Sequence, residues 1–255
     1  MNNTRVCMDP RNPGQFFACC GLLELATLEE PFAVAAFEVD EKRPRVAEFV
    51  VTANSFNIEG TVSRLRSARV QYIHEEIEPS IRPATISYNG ADLVIDWWLD
   101  VFREKAVNLK CWAGQVTTKN LFSELLPLMD ESVSADLFRR WALTKAKFGV
   151  DPRSAWSALD FGFSPNEHGM DAATFPAVEI LAAIGLQGFR PEAERREGVF
   201  YGLWQTPLPA AVARVAFRRP WEGLPHRGYR FSIARRGQSY KYFTFAEDNG
   251  KDRTQ

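Results

Sequence analysis

The chain has 255 residues, 45% of them hydrophobic and 25% charged, with a formal net charge of −1. That is enough apolar material for a substantial core. No uncharged apolar run approaches a membrane span, since the nearest, FPAVEILAAIGLQGF, contains Glu179. Met1 to Asp9 has one Arg and no apolar stretch, so no secretory leader is expected, and the four cysteines are expected to be reduced thiols of a cytoplasmic protein.

In chain order, Val6 to Met8 reads as a short strand ending at Asp9-Pro10. A helix then opens with Asn12 as N-cap, Pro13 at the first helical position and Gln15 at the third. Phe16, Cys19 or Cys20, and Leu23 follow at helical spacing. Cys7, Cys19 and Cys20 have only the lone Cys111 elsewhere, and ACCGLL is apolar on both sides. The cysteines are therefore expected to be packing rather than zinc ligands or nucleophiles. Gly21, costly inside a helix, predicts close approach of another backbone. The pattern A-x-x-G-L recurs as Ala18–Leu22 and Ala182–Leu186, and it raises the possibility of two related halves, each with a Gly-bearing helix packed on a sheet.

Residues 32–40 and 46–54 read as strands joined by a charged turn, and 58–75 as partly helical. ISYNG carries an Asn-Gly turn. LVIDWWLDVF (93–102) reads as a central strand, with Asp96 and Asp100 on one face. Residues 108–129 lead into a helix capped near Thr117 or Thr118. Residues 134–149 suggest a helix ending at Gly149 or an irregular excursion, and 154–165 is strand-like. A helix over 176–187 precedes strands at 199–206, 213–219, 229–234 and 239–246. Strand, helix and strands in succession predict an α+β domain with mostly antiparallel pairing over residues 1–247, with 248–255 as a flexible tail. A ferredoxin-like or RRM-like plait with insertions fits this order.

The blocks DPRNPGQFFACCGLLEL, KCWAGQVTTKNLFSELL, DPRSAWSALDFGFSPNE and FPAVEILAAIGLQGFRP, in that order, resemble those of a small CRISPR-associated protein of type I-U (I-G) systems, the short counterpart of the Cascade large subunit. The resemblance covers residues 7–245. It implies a non-enzymatic subunit built on an RRM-like fold, working with other Cascade subunits, crRNA and target DNA. Large subunits of that class touch the PAM-bearing duplex and the non-target strand, and help recruit the nuclease-helicase. They also carry a C-terminal helical bundle, whereas strands are expected at the end of this chain.

The charge is unevenly distributed. Residues 1–189 carry 18 Lys+Arg and 25 Asp+Glu, whereas residues 190–255 carry 13 and 7. The basic strands of 199–246 hold Arg214, Arg218, Arg219, Arg227, Arg230, Arg235, Arg236 and Lys241, with Tyr229, Tyr240 and Tyr242 among the interleaved aromatics. Cations for phosphates and rings for stacking suit nucleic acid. The same residues also suit a solvated sheet face or a contact with an acidic protein. In the hairpin YRFSIA-RRGQ-SYKYFTFA, a two- or four-residue loop puts Tyr240 and Tyr242 on the face of Tyr229. A three-residue loop puts them with Arg230. Either way Arg235 and Arg236 fall near the tip.

Enzyme signatures are weak. YIHEEIEP is not H-E-x-x-H, and no phosphate-binding glycine loop or nucleophile elbow occurs. The polar run Asn166–Asp171 lacks a second His or Cys cluster, so neither metal nor cofactor is expected. His226, beside Arg227, is the one candidate for a metal-free repeat endoribonuclease. A scaffold whose arginines bind an acidic subunit is the remaining alternative.

Overall fold

A computed structural model describes residues 1–73, 76–100, 102–103, 105–130, 135–155, 171–194, 198–219, 223–224, 226–236 and 240–249. The described residues form an α+β protein with five helices and several small antiparallel sheets. The helices are α1 (Pro13–Glu29), α2 (Ile58–Arg66), α3 (Thr118–Leu125), α4 (Pro176–Gly188) and α5 (Ala210–Ala216). None is long and apolar enough to cross a membrane.

The first four-stranded sheet runs β1 (Asn2–Met8), β3 (Ala47–Ala53), β2 (Val34–Val39) and then β13 (Leu208–Pro209). The second runs β11 (Ala193–Glu194), β12 (Gly198–Trp204), β14 (His226–Phe231) and β17 (Glu247–Asp248). Smaller ladders join β4 (Val70–Tyr72), β5 (Ala84–Tyr88) and β6 (Ala91–Ile95); β7 (Leu99–Asp100) and β8 (Lys105–Ala106); β9 (Ala142–Thr144) and β10 (Ala172–Thr174); β15 (Ile233–Arg236) and β16 (Tyr240–Phe243). The Asn-Gly turn joins β5 to β6, with positive φ of 49° at Asn89 and 79° at Gly90, as a two-residue hairpin loop demands.

Helix α1 lies between the two four-stranded sheets. Its Phe16 ring stacks on Phe37 of β2 at 5.6 Å and on Tyr201 of β12 at 4.4 Å. Burial from several sides explains why residues Pro13–Leu23 are all buried rather than confined to one stripe. Cys19 and Cys20 sit in this core, where burial pushes both thiols well up. The Asn12 side chain accepts the Gln15 N–H at 3.1 Å, and Gln15 Oε1 accepts the Asp9 N–H at 2.6 Å, so the helix entry is capped as its sequence predicts.

The two A-x-x-G-L segments meet each other. A Cβ on Gly21 would lie 2.0 Å from the Leu181 carbonyl oxygen, and one on Gly185 would lie 2.1 Å from that of Phe17. Each glycine thus faces the carbonyl four residues before the other, and α1 crosses α4 backbone to backbone. The symmetry is local. Helix α1 packs on both four-stranded sheets, whereas α4 packs on α1, α3 and β6.

A buried carboxylate ties the two helix starts to one loop. Glu179 of α4 accepts the N–H groups of Phe148 (2.7 Å), Gly149 (3.0 Å) and Asp151 (3.2 Å). Asp151, also buried, accepts the Asn12 amide at 2.9 Å and pairs with Arg153. Burial, then the neighbouring Asp151, pushes Glu179 up to about 7, against the pull of its backbone donors and of Lys147.

Several expectations are corrected. Residues 93–102 are not one central strand: β6 stops at Ile95, and a turn closed by Leu99 N–H donating to Asp96 O (2.8 Å) precedes β7. Trp97 and Trp98, in that turn, are both buried and pack on Trp112. Of the two readings of 134–149, the described residues 135–149 follow the irregular excursion, with a 3₁₀ turn at Leu137–Arg139 and then β9, and not the helix ending at Gly149. Residues 213–219 are largely helical, because Ala210, Ala213 and Ala216 line up at a spacing of three against the core. Asp248 pairs with Tyr229 in the sheet, and Asn249 N–H donates to Gly228 O at 3.0 Å. The strand expected over 154–165 lies mostly outside the described residues, as do His74 and His168.

Two outcomes follow from this packing. Gly21→Ala and Gly185→Ala should each lower stability by about 2–3 kcal/mol, because the added methyl meets backbone that cannot rotate away. In thermal unfolding this is a fall of roughly 5–10 °C, and the double variant should be non-additive because both act on one contact. A midpoint unmoved by either change would contradict the close crossing. Because Glu179 binds its proton more tightly folded than unfolded, its contribution is greatest below about 4.5 and is lost as pH rises through about 7. The difference in denaturant stability between Glu179→Gln and the parent should therefore vary across that window, by on the order of 2–3 kcal/mol. A flat difference would mean the group does not titrate there.

Candidate nucleic-acid interface

The basic C-terminal residues separate into two populations. Arg214 of α5 donates to Glu24 of α1 at 2.8 Å, which clips the two helices together. Arg218 lies 3.5 Å from Glu192, with both side chains largely exposed. Arg227 pairs with Asp248 through a 2.9 Å bond from Nε, joining β14 to β17. Tyr229 is only 1% exposed, with its ring stacked on Tyr201 at 5.7 Å. It is a core residue, and no base can reach its face. Burial pushes its phenol up to about 12. Arg230 is half-buried in β14, opposite Phe200 and Glu247, and Arg219 is exposed beyond α5.

The β15–β16 hairpin holds the rest. Its register pairs Ile233 with Phe243, Ala234 with Tyr242, Arg235 with Lys241 and Arg236 with Tyr240. Three residues, 237–239, separate the last pair, which is the odd-loop register. Tyr240, Tyr242 and Ala234 therefore share one face, and Arg235 and Lys241 share the other with Ile233 and Phe243. The strand does not run on from Tyr229, because it breaks at Ser232, whose N–H donates to Thr244 Oγ1 at 3.0 Å. Arg235 and Arg236 lie in β15 itself, in the last two rungs before the loop.

The hairpin is anchored from its other edge. Lys241 N–H donates to Cys111 O and Phe243 N–H to Gly149 O, both at 3.0 Å. Gly149 has a φ of +82°, and a Cβ there would lie 3.1 Å from Lys241 O, so the strand approach needs glycine. This contact brings in Lys110, which the sequence reading missed because it lies in the acidic part of the chain. Lys110 is half-buried, with Nζ 5.4 Å from the centre of the Trp112 ring. Burial, and then the positive charge of Lys241, lower its pKa, against the raising effect of Glu78. Arg235 directly opposite Lys241 is a like-charge pair, destabilising by about 0.2–1 kcal/mol unless an anion lies between or over the charges.

The other chemical candidates are not assembled. His226 begins β14 opposite Trp204, half-buried, with its ring against Gly202. Asp96 pairs with Arg190, and Asp100 lies 3.7 Å from Arg103. Among the described residues no group of His, Cys, Asp and Glu could hold a metal ion. Cys111 is buried, which raises its thiol pKa.

Comparison of the chain with models of protein families, with curated proteins and with solved structures found no match.

Proposed function

We propose that this chain is a non-enzymatic subunit of a type I CRISPR effector complex that binds nucleic acid through the β15–β16 hairpin. The observation that carries the binding reading is the Arg235–Lys241 pair held opposite across the hairpin, with Lys110 near Lys241 and Glu78 as the acidic neighbour of Lys110. Such a cluster is unfavourable alone and favourable against a polyanion. Tyr240 and Tyr242 on the opposite face add two half-buried rings suited to an unpaired strand. The family reading rests on the four sequence blocks and their order. An RRM-like core is supported by the β1–α1–β2–β3 unit, in which β3 lies between β1 and β2 as in a split βαβ. The departure is β13, which extends the sheet beside β2, where a ferredoxin plait would add its fourth strand beside β1. A role in PAM reading and in recruiting the nuclease-helicase is carried by the resemblance alone.

Two experiments test this. Co-expressed with the complex's other subunits and crRNA, the chain should co-elute with the particle; failure to associate, with or without target DNA, would remove the family reading. Replacing Arg235 by Ala and Lys241 by Gln should weaken binding and reduce the slope of log K against log[salt] by about 1 to 2 units, as two phosphate contacts require. An unchanged slope with lost subunit assembly would favour the scaffold, in which the same cations meet an acidic protein. Cleavage of repeat RNA by the purified chain, abolished by His226→Ala, would favour the endoribonuclease.

A further inference from the structure

Strand β1 is an edge of the first four-stranded sheet, paired with β3 on one side. Its register runs from Asn2–Ala53 to Met8–Ala47 without a bulge. In an antiparallel pair, successive residues turn their N–H and C=O alternately toward the partner strand and away from it. The Cys7 N–H points away, since it donates to Ala135 O at 3.1 Å. Asn3 and Arg5 therefore also present their backbone groups outward, and among the described residues nothing bonds them there. We propose that this edge, over Asn2–Val6, receives an extended segment of another protein as an added strand. The proposal is independent of the nucleic-acid reading.

Native sheets blunt their edges with a bulge, a proline or a charged side chain that guards the backbone. Asn2–Val6 holds no proline. Its one charged side chain, Arg5, is drawn back across the sheet, with Nη1 2.6 Å from Glu38 of β2 and 2.7 Å from Glu48 of β3. The edge is also the side on which a ferredoxin plait carries its fourth strand, whereas this chain's β13 lies at the other edge. The two rows of β1 set the chemistry of the partner. Thr4, Val6 and Met8 form the inner row, with Val6 and Met8 buried, so the residues that continue this row in the added strand are apolar. Asn3, Arg5 and Cys7 form the outer row, where Arg5 meets two carboxylates, so the alternate residues are uncharged or basic. A second copy of this chain fits less well. Two copies meeting antiparallel about Thr4 would pair Asn3 with Arg5 twice, far short of the roughly 1,200–2,000 Å² that a stable interface buries. They would also set two rows of excess negative charge side by side. An extended segment has neither difficulty, because main-chain bonds and alternate side chains supply its affinity.

The test uses the full chain and two labelled peptides of seven residues, the length of β1, one alternating Val with Lys and the other Val with Glu. Fluorescence anisotropy should show saturable binding of the Val/Lys peptide and binding of the Val/Glu peptide weaker by about threefold or more. Asn3→Pro removes an outward N–H that makes no bond within the fold, so the thermal midpoint should hold. The same change should weaken the Val/Lys peptide roughly 3- to 10-fold, as loss of one backbone hydrogen bond requires. In the parent, hydrogen exchange at the Asn3 and Arg5 amides should slow when this peptide is added, a readout that needs no variant. The proposal is overturned if the Val/Lys peptide does not bind, if the two peptides bind alike, or if Asn3→Pro binds as tightly as the parent while the two amides exchange at their former rate. It is equally overturned if the parent alone sediments as a dimer that Asn3→Pro dissociates, since the occupant is then a second copy.

Discussion

The contact between Gly21 and Gly185 governs the architecture. With no side chain at the crossing, α1 and α4 approach until carbonyl oxygens lie where Cβ atoms would be. Their larger side chains are then displaced to the flanks. On α1 those flanks carry Phe16 and Phe17, which reach the aromatic cores of both four-stranded sheets. Backbone proximity also brings the two helix starts within reach of a single loop, where Glu179 and Asn12 are linked through Asp151. That loop is the same one that receives β16, through Gly149 O. One small-residue contact thus sets the frame on which the basic hairpin is mounted.

The charge asymmetry of the chain has two uses in the fold. Arg214 and Arg227 fasten α5 to α1 and β14 to β17, and Arg218 pairs with Glu192, so part of the C-terminal excess is met within the molecule. These pairs are partly exposed and individually modest in energy. Arg235 and Lys241 are different, because their nearest cross-strand neighbours are each other and Lys110 adds to the same field. Here two like charges are held opposite each other by backbone pairing, with Glu78 as the acidic neighbour of Lys110.

Burial encloses several reactive side chains. Cys19, Cys20 and Cys111 lie in apolar surroundings that suppress the thiolate, and Tyr229 presents its ring to Tyr201 rather than to solvent. The buried Glu179 is held by three backbone N–H groups and serves as a fastening between helix and loop.

By itself the sequence determined what is decided within a few residues. The Asn12-Pro13 helix entry, the Thr117 cap of α3, the Asn-Gly hairpin and the Pro176 helix start are legible because each rests on one side chain or one backbone preference. It also carried the reason for Gly21, although not that the partner is the matching glycine 164 positions along. The tertiary structure decided what depends on distant neighbours. Residues 93–102 read as one continuous strand, but a turn after Ile95 carries Trp97 and Trp98 into a cluster with Trp112. The alanines of α5 follow a spacing of three that a window of valine and phenylalanine disguises as a strand. The hairpin register depends on one loop residue more or less, and Lys110 joins the cation cluster only because Lys241 pairs with the next residue, Cys111. Local geometry is encoded by the residues that adopt it, whereas faces, registers and clusters are properties of pairs, and the sequence does not say which pairs meet.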